Sequence, residues 1–249
     1  MKYQNLVNIL QTSRSAVFFG GAGVSTESGV PDFRSETGLY AAQSVYGYAP
    51  EELLSHTLFA REPELFFRYY KENLIYRDAK PNAAHIALAK LEHAGKLAAV
   101  VTQNVDGLHQ AAGSVNVLEL HGSNHRQFCM ACGNRYDLEY ILNTAYCDGV
   151  IPKCEICGGT VRPDVVLYEE PLDHRVMDTA TRAIAAADCL IVGGSSLAVY
   201  PAAGLLHYFH GSHLALINKS ATPFDEQADL VIHESIGAVF SAVIKEMCL

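Results

Sequence analysis

Short apolar runs recur along the chain at residues 16–19, 97–101, 115–120, 188–192, 213–217 and 230–232, each rich in Val, Ile, Leu or Phe. Such runs read as strands buried on both faces. Between them the apolar positions follow a helical period at residues 2–12, at 81–94 closed by Gly95, and at 173–187. Residues 50–79 keep that period around a central proline, Pro63, which predicts two short helices. Strands alternating with helices predict an α/β fold, a doubly wound parallel Rossmann-like sheet of about six or seven strands.

The polar residues that break this pattern gather where predicted strands end. They are Gly20 to Ser25, Gln103 to Asp106, His121, Gly194 to Ser196, and Asn218. Ligands of parallel sheets bind beyond the carboxyl ends of the strands, so these clusters form one candidate site. The first, Gly20-Gly21-Ala22-Gly23 followed by Ser25-Thr26-Glu27, reads as a strand, a glycine turn and a helix start, which together cradle phosphate. Gly29-Val30-Pro31-Asp32-Phe33-Arg34 then stops that helix and sets a carboxylate, a ring and a guanidinium side by side. A nicotinamide dehydrogenase would need glycine where Thr26 stands, and an acidic strand end about twenty residues on. A dinucleotide therefore fits, but hydride transfer does not.

Composition narrows the picture. The chain has 249 residues, 49% of them hydrophobic, and a net charge of −9 without a Lys/Arg run. The acidity makes nucleic acid an unlikely partner and suits basic, lysine-bearing ones. No apolar run approaches the ~20 residues needed to span a bilayer, and the amphipathic start lacks the marks of a signal peptide, so the expected location is cytoplasmic. Of seven cysteines, four pair as Cys129-x-x-Cys132 and Cys154-x-x-Cys157 with 21 residues between the pairs. That spacing predicts one structural zinc held by four thiolates, with Gly133 and Gly158 turning the two knuckles. A redox dithiol is the rival reading, and Cys147 is the decoy ligand.

The stretches GAGVSTESGVPDFR, TQNVDGLH, His121-Gly122, the two C-x-x-C pairs, GSSLAVYPAA and the strand end at Asn218 resemble, in the same order, the motifs of sirtuins. Sirtuins are NAD-dependent protein-lysine deacylases, and the resemblance covers nearly the whole chain. It implies one catalytic core over residues 1–249, with a helical module at about 36–80 and a zinc module at about 125–164 forming a smaller lobe. It also implies that Ala22, Thr26, Phe33 and Arg34 line the phosphates and nicotinamide ribose of NAD, with Gly21, Gly23, Asp32, Val105 and Gly194 on the same surface. Asn104 and Asp106 would hold the carboxamide, and Gln103 the ribose. Ser195 and Ser196 would take phosphate or ribose, and Asn218 with Ile236 the adenosine end. His121 would be the general base, working with Asn104 as the catalytic pair, because imidazole titrates near working pH. Val165, Val166, Leu167 and Tyr168 would form the edge that an acyl-lysine protein segment joins as an added strand. Mono-ADP-ribosyl transfer to protein and non-catalytic sensing of NAD or ADP-ribose remain the other readings of the same motifs.

Two departures bear on specificity. Where sirtuins usually carry Phe-Gly-Glu, this chain has Tyr168-Glu169-Glu170. Where relatives that prefer acidic acyl groups carry Tyr-x-x-Arg, it has Phe67-x-x-Tyr70 or Tyr70-x-x-Asn73, without the cation. The expected substrate is acetyl or another neutral acyl group, with Arg68 and Lys71 as the nearest replacements for the missing charge.

Overall fold

The structure is a computed structural model that describes residues 2–32 and 46–249. Phe33, Arg34 and the first part of the expected helical module lie outside the described residues. The strands are β1 (Ala16–Gly20), β2 (Leu97–Thr102), β3 (Val117–Glu119), β4 (Gly122–Cys129), β5 (Arg135–Asp137), β6 (Cys147–Asp148), β7 (Ile151–Pro152), β8 (Val161–Val165), β9 (Cys189–Gly193), β10 (His213–Ile217) and β11 (Leu230–Ile232).

Six of them form one sheet in the order β11-β10-β9-β1-β2-β3, with every pair parallel. The order runs outward in both directions from β1 and β9, the switch point at which a crevice opens beyond the strand ends. Period-two alternation sends Phe18 and Ile191 to one face, under the helices Gln4–Thr12, Ala83–His93 and Ile236–Glu246. Val17, Phe19 and Val192 point the other way, under His174–Ala186 and the turn Ala202–Tyr208. β1 and β9 are buried along their whole length, as their unbroken apolar runs require.

The second lobe shares one core between two modules. Leu58, Phe59, Phe66 and Tyr70 from the helices pack with Ile141, Val161 and Leu167 from around the three-stranded sheet β5-β4-β8. Among the described residues no helix is long and apolar enough to cross a membrane.

Two local expectations change. Residues 25–27 do not open an α-helix; the chain makes 3-10 turns at Ala22–Val24 and Thr26–Ser28 and then leaves through Gly29 at φ 82°. The side chain of Glu27 is drawn to another helix instead. Its Oε1 accepts the Ser235 hydroxyl at 2.7 Å and the Gly237 N–H at 3.0 Å, capping Ile236–Glu246 at the positive end of its dipole. Residues 50–79 hold three helices rather than two: Pro50–Leu53, His56–Arg61 and Pro63–Asn73. The extra break falls at Ser55, whose hydroxyl accepts the Leu58 N–H at 3.1 Å and caps the second helix.

Behind the crevice, His85 and His109 are buried edge to face, with ring centroids 4.7 Å apart. Burial pushes their pKa values down to about 4 and about 3, and His85 further lowers that of His109. The unfolded chain takes up these protons near pH 6.5, the folded one only at the lower values. Stability is therefore full above pH 6.5 and falls as the pH drops toward 3. Urea unfolding should lose roughly 2 kcal/mol per histidine between pH 7 and pH 5, and His109→Leu should remove about half of that slope. An unchanged slope in the variant would refute the assignment.

Candidate active site

A cleft of about 910 Å³ lies between the lobes, at the carboxyl ends of the strands. The glycine turn after β1, with Ala22, Thr26 and Asp32, lines one wall. Gln103, Asn104, Val105 and Asp106 after β2, and His121 after β3, line the next. Gly194, Ser195 and Ser196 after β9, Asn218 after β10, and Ile236 complete the sheet side. Val165, Val166, Leu167 and Tyr168 close the opposite side. Every expected cofactor and substrate residue within the described chain thus meets in one place.

The floor is made of backbone. Gly21 N–H donates to the Gly193 carbonyl at 3.2 Å, and Gly23 N–H to the Gly194 carbonyl at 2.8 Å. A Cβ on Gly23 would stand 2.8 Å from the Gly194 oxygen, and one on Gly194, at φ 58°, would stand 2.4 Å from the Val24 nitrogen. Side chains are excluded here, which leaves room for a phosphate to approach the main chain closely.

Above the floor, Ser25 is fully buried and joins two loops. Its hydroxyl donates to Asp106 Oδ2 at 2.6 Å and accepts from Asn104 Nδ2 at 3.1 Å. Asp106 Oδ1 accepts the Leu108 N–H at 2.9 Å, and Asn104 N–H donates to Thr102 Oγ1 at 3.0 Å. An amide and a carboxylate are held side by side, the pair that can both donate to and accept from a carboxamide. Gln103 Nε2 donates to Ser195 Oγ at 3.0 Å, tying the β2 and β9 loops together. Sequence reasoning placed Ser25 in the glycine cluster without assigning it a role, and missed Asn124, whose N–H holds the Val105 carbonyl at 2.8 Å. Ser25 stood inside the glycine motif, but nothing in the motif announced its burial.

His121 Nδ1 lies 2.9 Å from the Gln103 carbonyl oxygen. A carbonyl only accepts, so Nδ1 carries the proton and Nε2 keeps its lone pair. Burial lowers the His121 pKa below the ordinary imidazole value, against the opposing pull of that hydrogen bond, and the ring is neutral at pH 7. Gly122 at φ 80° follows because a Cβ there would stand 2.0 Å from the Asp164 carbonyl oxygen.

On the substrate side, β8 is an edge strand, paired with β4 alone among the described residues. The chain beyond it is pinned to both lobes. Val166 N–H donates to the His121 carbonyl at 2.9 Å, and Tyr168 N–H to the Leu54 carbonyl at 3.0 Å. Burial alone would raise the Glu170 pKa, but bonds from Arg162, the Leu167 N–H and His56 hold it at about 2. Glu169 sits at φ 76°, where a residue with a side chain pays about 1–2 kcal/mol. The acyl end carries no free cation among the described residues. The Tyr70 hydroxyl donates to Asn124 Oδ1 at 2.7 Å, Lys71 Nζ turns to the Val150 carbonyl at 2.9 Å, and Arg68 is exposed. Lys219, after β10, is the sole described Lys or Arg lining the cleft.

A sequence model described as the Sir2 family matches residues 21–201. The chain is 59% identical over 243 residues to an NAD-dependent protein deacetylase of Clostridium acetobutylicum, covering 98% of both chains. The chain belongs to the Sir2 family. An NAD-dependent protein deacetylase of Staphylococcus aureus is 44% identical, again over 98% of both chains. Among solved structures, a Sir2 with a p53 peptide and NAD+ matches with a TM-score of 0.87 at 37% identity, over 100% of this chain and 99% of the other. A Sir2 bound to a propionylated peptide matches with a TM-score of 0.86 at 36% identity, over the same shares.

This Sir2 family chain brings its four paired cysteines together outside the cleft. Their sulfurs all lie within 4.8 Å of one another. Cys129 and Cys157 are 3.5 Å apart and Cys132 and Cys154 3.7 Å, close to the ~3.8 Å edge of a tetrahedron with Zn–S bonds of ~2.3 Å. Gly133 and Gly158, both at φ 72°, return N–H groups to the Cys129 and Cys154 carbonyls and give the knuckles matching turns. The set fits a structural zinc, every position filled by protein. Cys147 stands apart, against Lys71 Nζ at 3.6 Å. Metal analysis should give about one zinc per chain for the parent and for Cys147→Ser, whereas Cys154→Ser should lose zinc and much of its thermal stability. Full zinc in Cys154→Ser would refute the ligand set.

Proposed function

We propose that this chain is an NAD-dependent protein-lysine deacetylase that passes the acyl group of an acyl-lysine to ADP-ribose and releases nicotinamide. The observation that carries the reading is a neutral, tautomer-fixed His121 in the same cleft as the glycine floor and the Asn104–Ser25–Asp106 triad. The glycine turns fit the pyrophosphate, since they leave main-chain room that any side chain would fill. Bound there, NAD supplies an ADP-ribosyl acceptor and a nicotinamide leaving group.

The protein's own part is positioning and proton transfer. Asn104 and Asp106 orient the carboxamide so that the ring can leave, and Ser25 keeps the two from turning away. Gln103, Ser195 and Ser196 hold ribose and phosphate oxygens, while Asn218 and Ile236 hold the adenosine end. With NAD and acyl-lysine bound, His121 Nε2 would take a proton from a ribose hydroxyl while the acyl oxygen attacks the anomeric carbon and nicotinamide leaves, and its Nδ1–H would stay on the Gln103 carbonyl. The acyl-lysine segment pairs along the edge that leads from Val165 to Val166, with Leu167 and Tyr168 walling the side chain. Among the described residues, Phe67, Tyr70 and Asn73 stand where a cation would clamp an acidic acyl group, which supports acetyl and other neutral groups over succinyl or malonyl. Bacterial relatives and paired thiolates suited to a reducing compartment support work in the cytoplasm.

Nicotinamide release from NAD should require an acyl-lysine peptide, yield O-acyl-ADP-ribose, and be faster with acetyl than with succinyl peptide. Release without acyl-lysine, with label from NAD left on protein, would point to ADP-ribosyl transfer instead. His121→Ala should fold and bind NAD while losing about 10²–10⁴ in turnover. Because burial lowers the His121 pKa in the free protein and the base acts when neutral, the acid limb of kcat/KM should lie below the ~6.5 of an ordinary imidazole. A limb above that value would refute the buried-base assignment.

A further inference from the structure

The left-handed turn at Glu169 would suit glycine, yet a charged side chain stands there and is put to use. Glu169 Oε2 accepts both the Thr57 N–H at 2.8 Å and the Thr57 hydroxyl at 2.7 Å. Beside this clamp, Tyr168 N–H donates to the Leu54 carbonyl and His56 N–H to the Tyr168 carbonyl, each at 3.0 Å. The stretch that lines the cleft is thus fastened to residues 54–57 by main-chain bonds at Tyr168 and by the carboxylate of Glu169. Tyr168 itself is 37% exposed at the mouth of the cleft. Ser55 caps the Leu58 N–H of the helix His56–Arg61, and Glu169 takes the Thr57 N–H of the same first turn together with the Thr57 hydroxyl, so the cap also ties the helix to the cleft wall. Glu170 cannot take over the role, because its two oxygens serve Arg162, His56 and the Leu167 N–H.

We propose that Glu169 is a positioning residue for the acyl-lysine segment: by clamping Thr57 it fixes Tyr168 and the Val166–Leu167 edge at the mouth of the cleft. The inference rests on the deacetylase reading and deepens it. The clamp acts through Tyr168 on the peptide and touches neither the glycine floor nor the residues around His121, so its loss should be felt in peptide binding alone.

Glu169→Gly keeps the backbone turn comfortable and removes the clamp. Its Kd for a labelled acetyl-lysine peptide, measured without NAD, and its KM for that peptide should both rise about fivefold. Its kcat and its KM for NAD should stay within about twofold, and its Tm should not fall. Glu169→Gln keeps an acceptor oxygen and should stay within about twofold of the parent throughout. Thr57→Val, which leaves the Glu169 backbone untouched, should raise the peptide Kd in the same direction by a smaller factor. Parent-like peptide Kd and KM in Glu169→Gly, or an equal loss of NAD affinity, would overturn the inference alone. A parent protein that neither binds nor turns over acyl-lysine peptides would overturn the deacetylase reading and this inference with it.

Discussion

The contact on which the rest of this structure depends is between two stretches of bare backbone. At the switch point of the sheet, the turns after β1 and β9 close on each other through Gly23 N–H and the Gly194 carbonyl at 2.8 Å. No side chain fits between them: at Gly21, Gly23 and Gly194 an added Cβ would come within 2.9 Å of main-chain atoms of the opposite turn. The closeness shapes the cleft floor, and it also dictates where the next residues go. Ser25 is delivered into the interior, where it meets Asn104 and Asp106, and Glu27 is delivered outward to cap the last helix. One turn thereby ties the first strand, the second loop and the final helix into one unit.

The same economy governs the reacting side. His121 has one usable orientation, because its Nδ1–H is committed to the Gln103 carbonyl and its own carbonyl to the Val166 N–H. Buried polar groups of this kind are costly when unpaired, so each bond that satisfies one also aims it. The Asn104–Ser25–Asp106 chain works likewise: Asp106 faces Ser25 with one oxygen and caps Leu108 with the other, leaving little freedom to be lost on binding. A depressed imidazole pKa follows from that burial, and it suits a base that must be neutral before the ligand arrives.

Much of this was legible in the sequence, for identifiable reasons. The six strands of the main sheet were readable because burial on both faces leaves unbroken apolar runs; β10 and β11 match the expected residues, and the rest differ by one or two residues at one or both ends. The polar clusters were readable because parallel topology sends every strand end to the same edge. The four-cysteine cluster was readable from spacing alone. What stayed hidden depended on contacts distant in the chain. Ser25, Thr26 and Glu27 carry good helix-opening chemistry, but Gly29 ends the turn and Glu27 finds a stronger partner 210 residues on at Gly237. The break at Ser55 reflects its bridge to Tyr168, which no local pattern could foretell. Ser25, as the hub between two loops, needed the glycine approach before its burial could be read.

The remaining question is how the small lobe communicates with the reacting groups, and the ion pair of Arg162 and Glu170 supplies the link. A buried pair is weak evidence for stability, since desolvation offsets much of its attraction. Its value here is geometric. Arg162 lies 8% exposed between the rings of Phe59 and Phe128, and gives Glu170 both arms of its guanidinium while also holding the Val165 carbonyl. Glu170 in turn holds the Leu167 N–H and His56. The segment from Val165 to Tyr168 is therefore fixed at one end by His121 and at the other by the helical module. The wall of the cleft and the backbone of the base are thereby joined, through the hydrogen bond from Val166 N–H to the His121 carbonyl and the pairing of Gly122 with Val165.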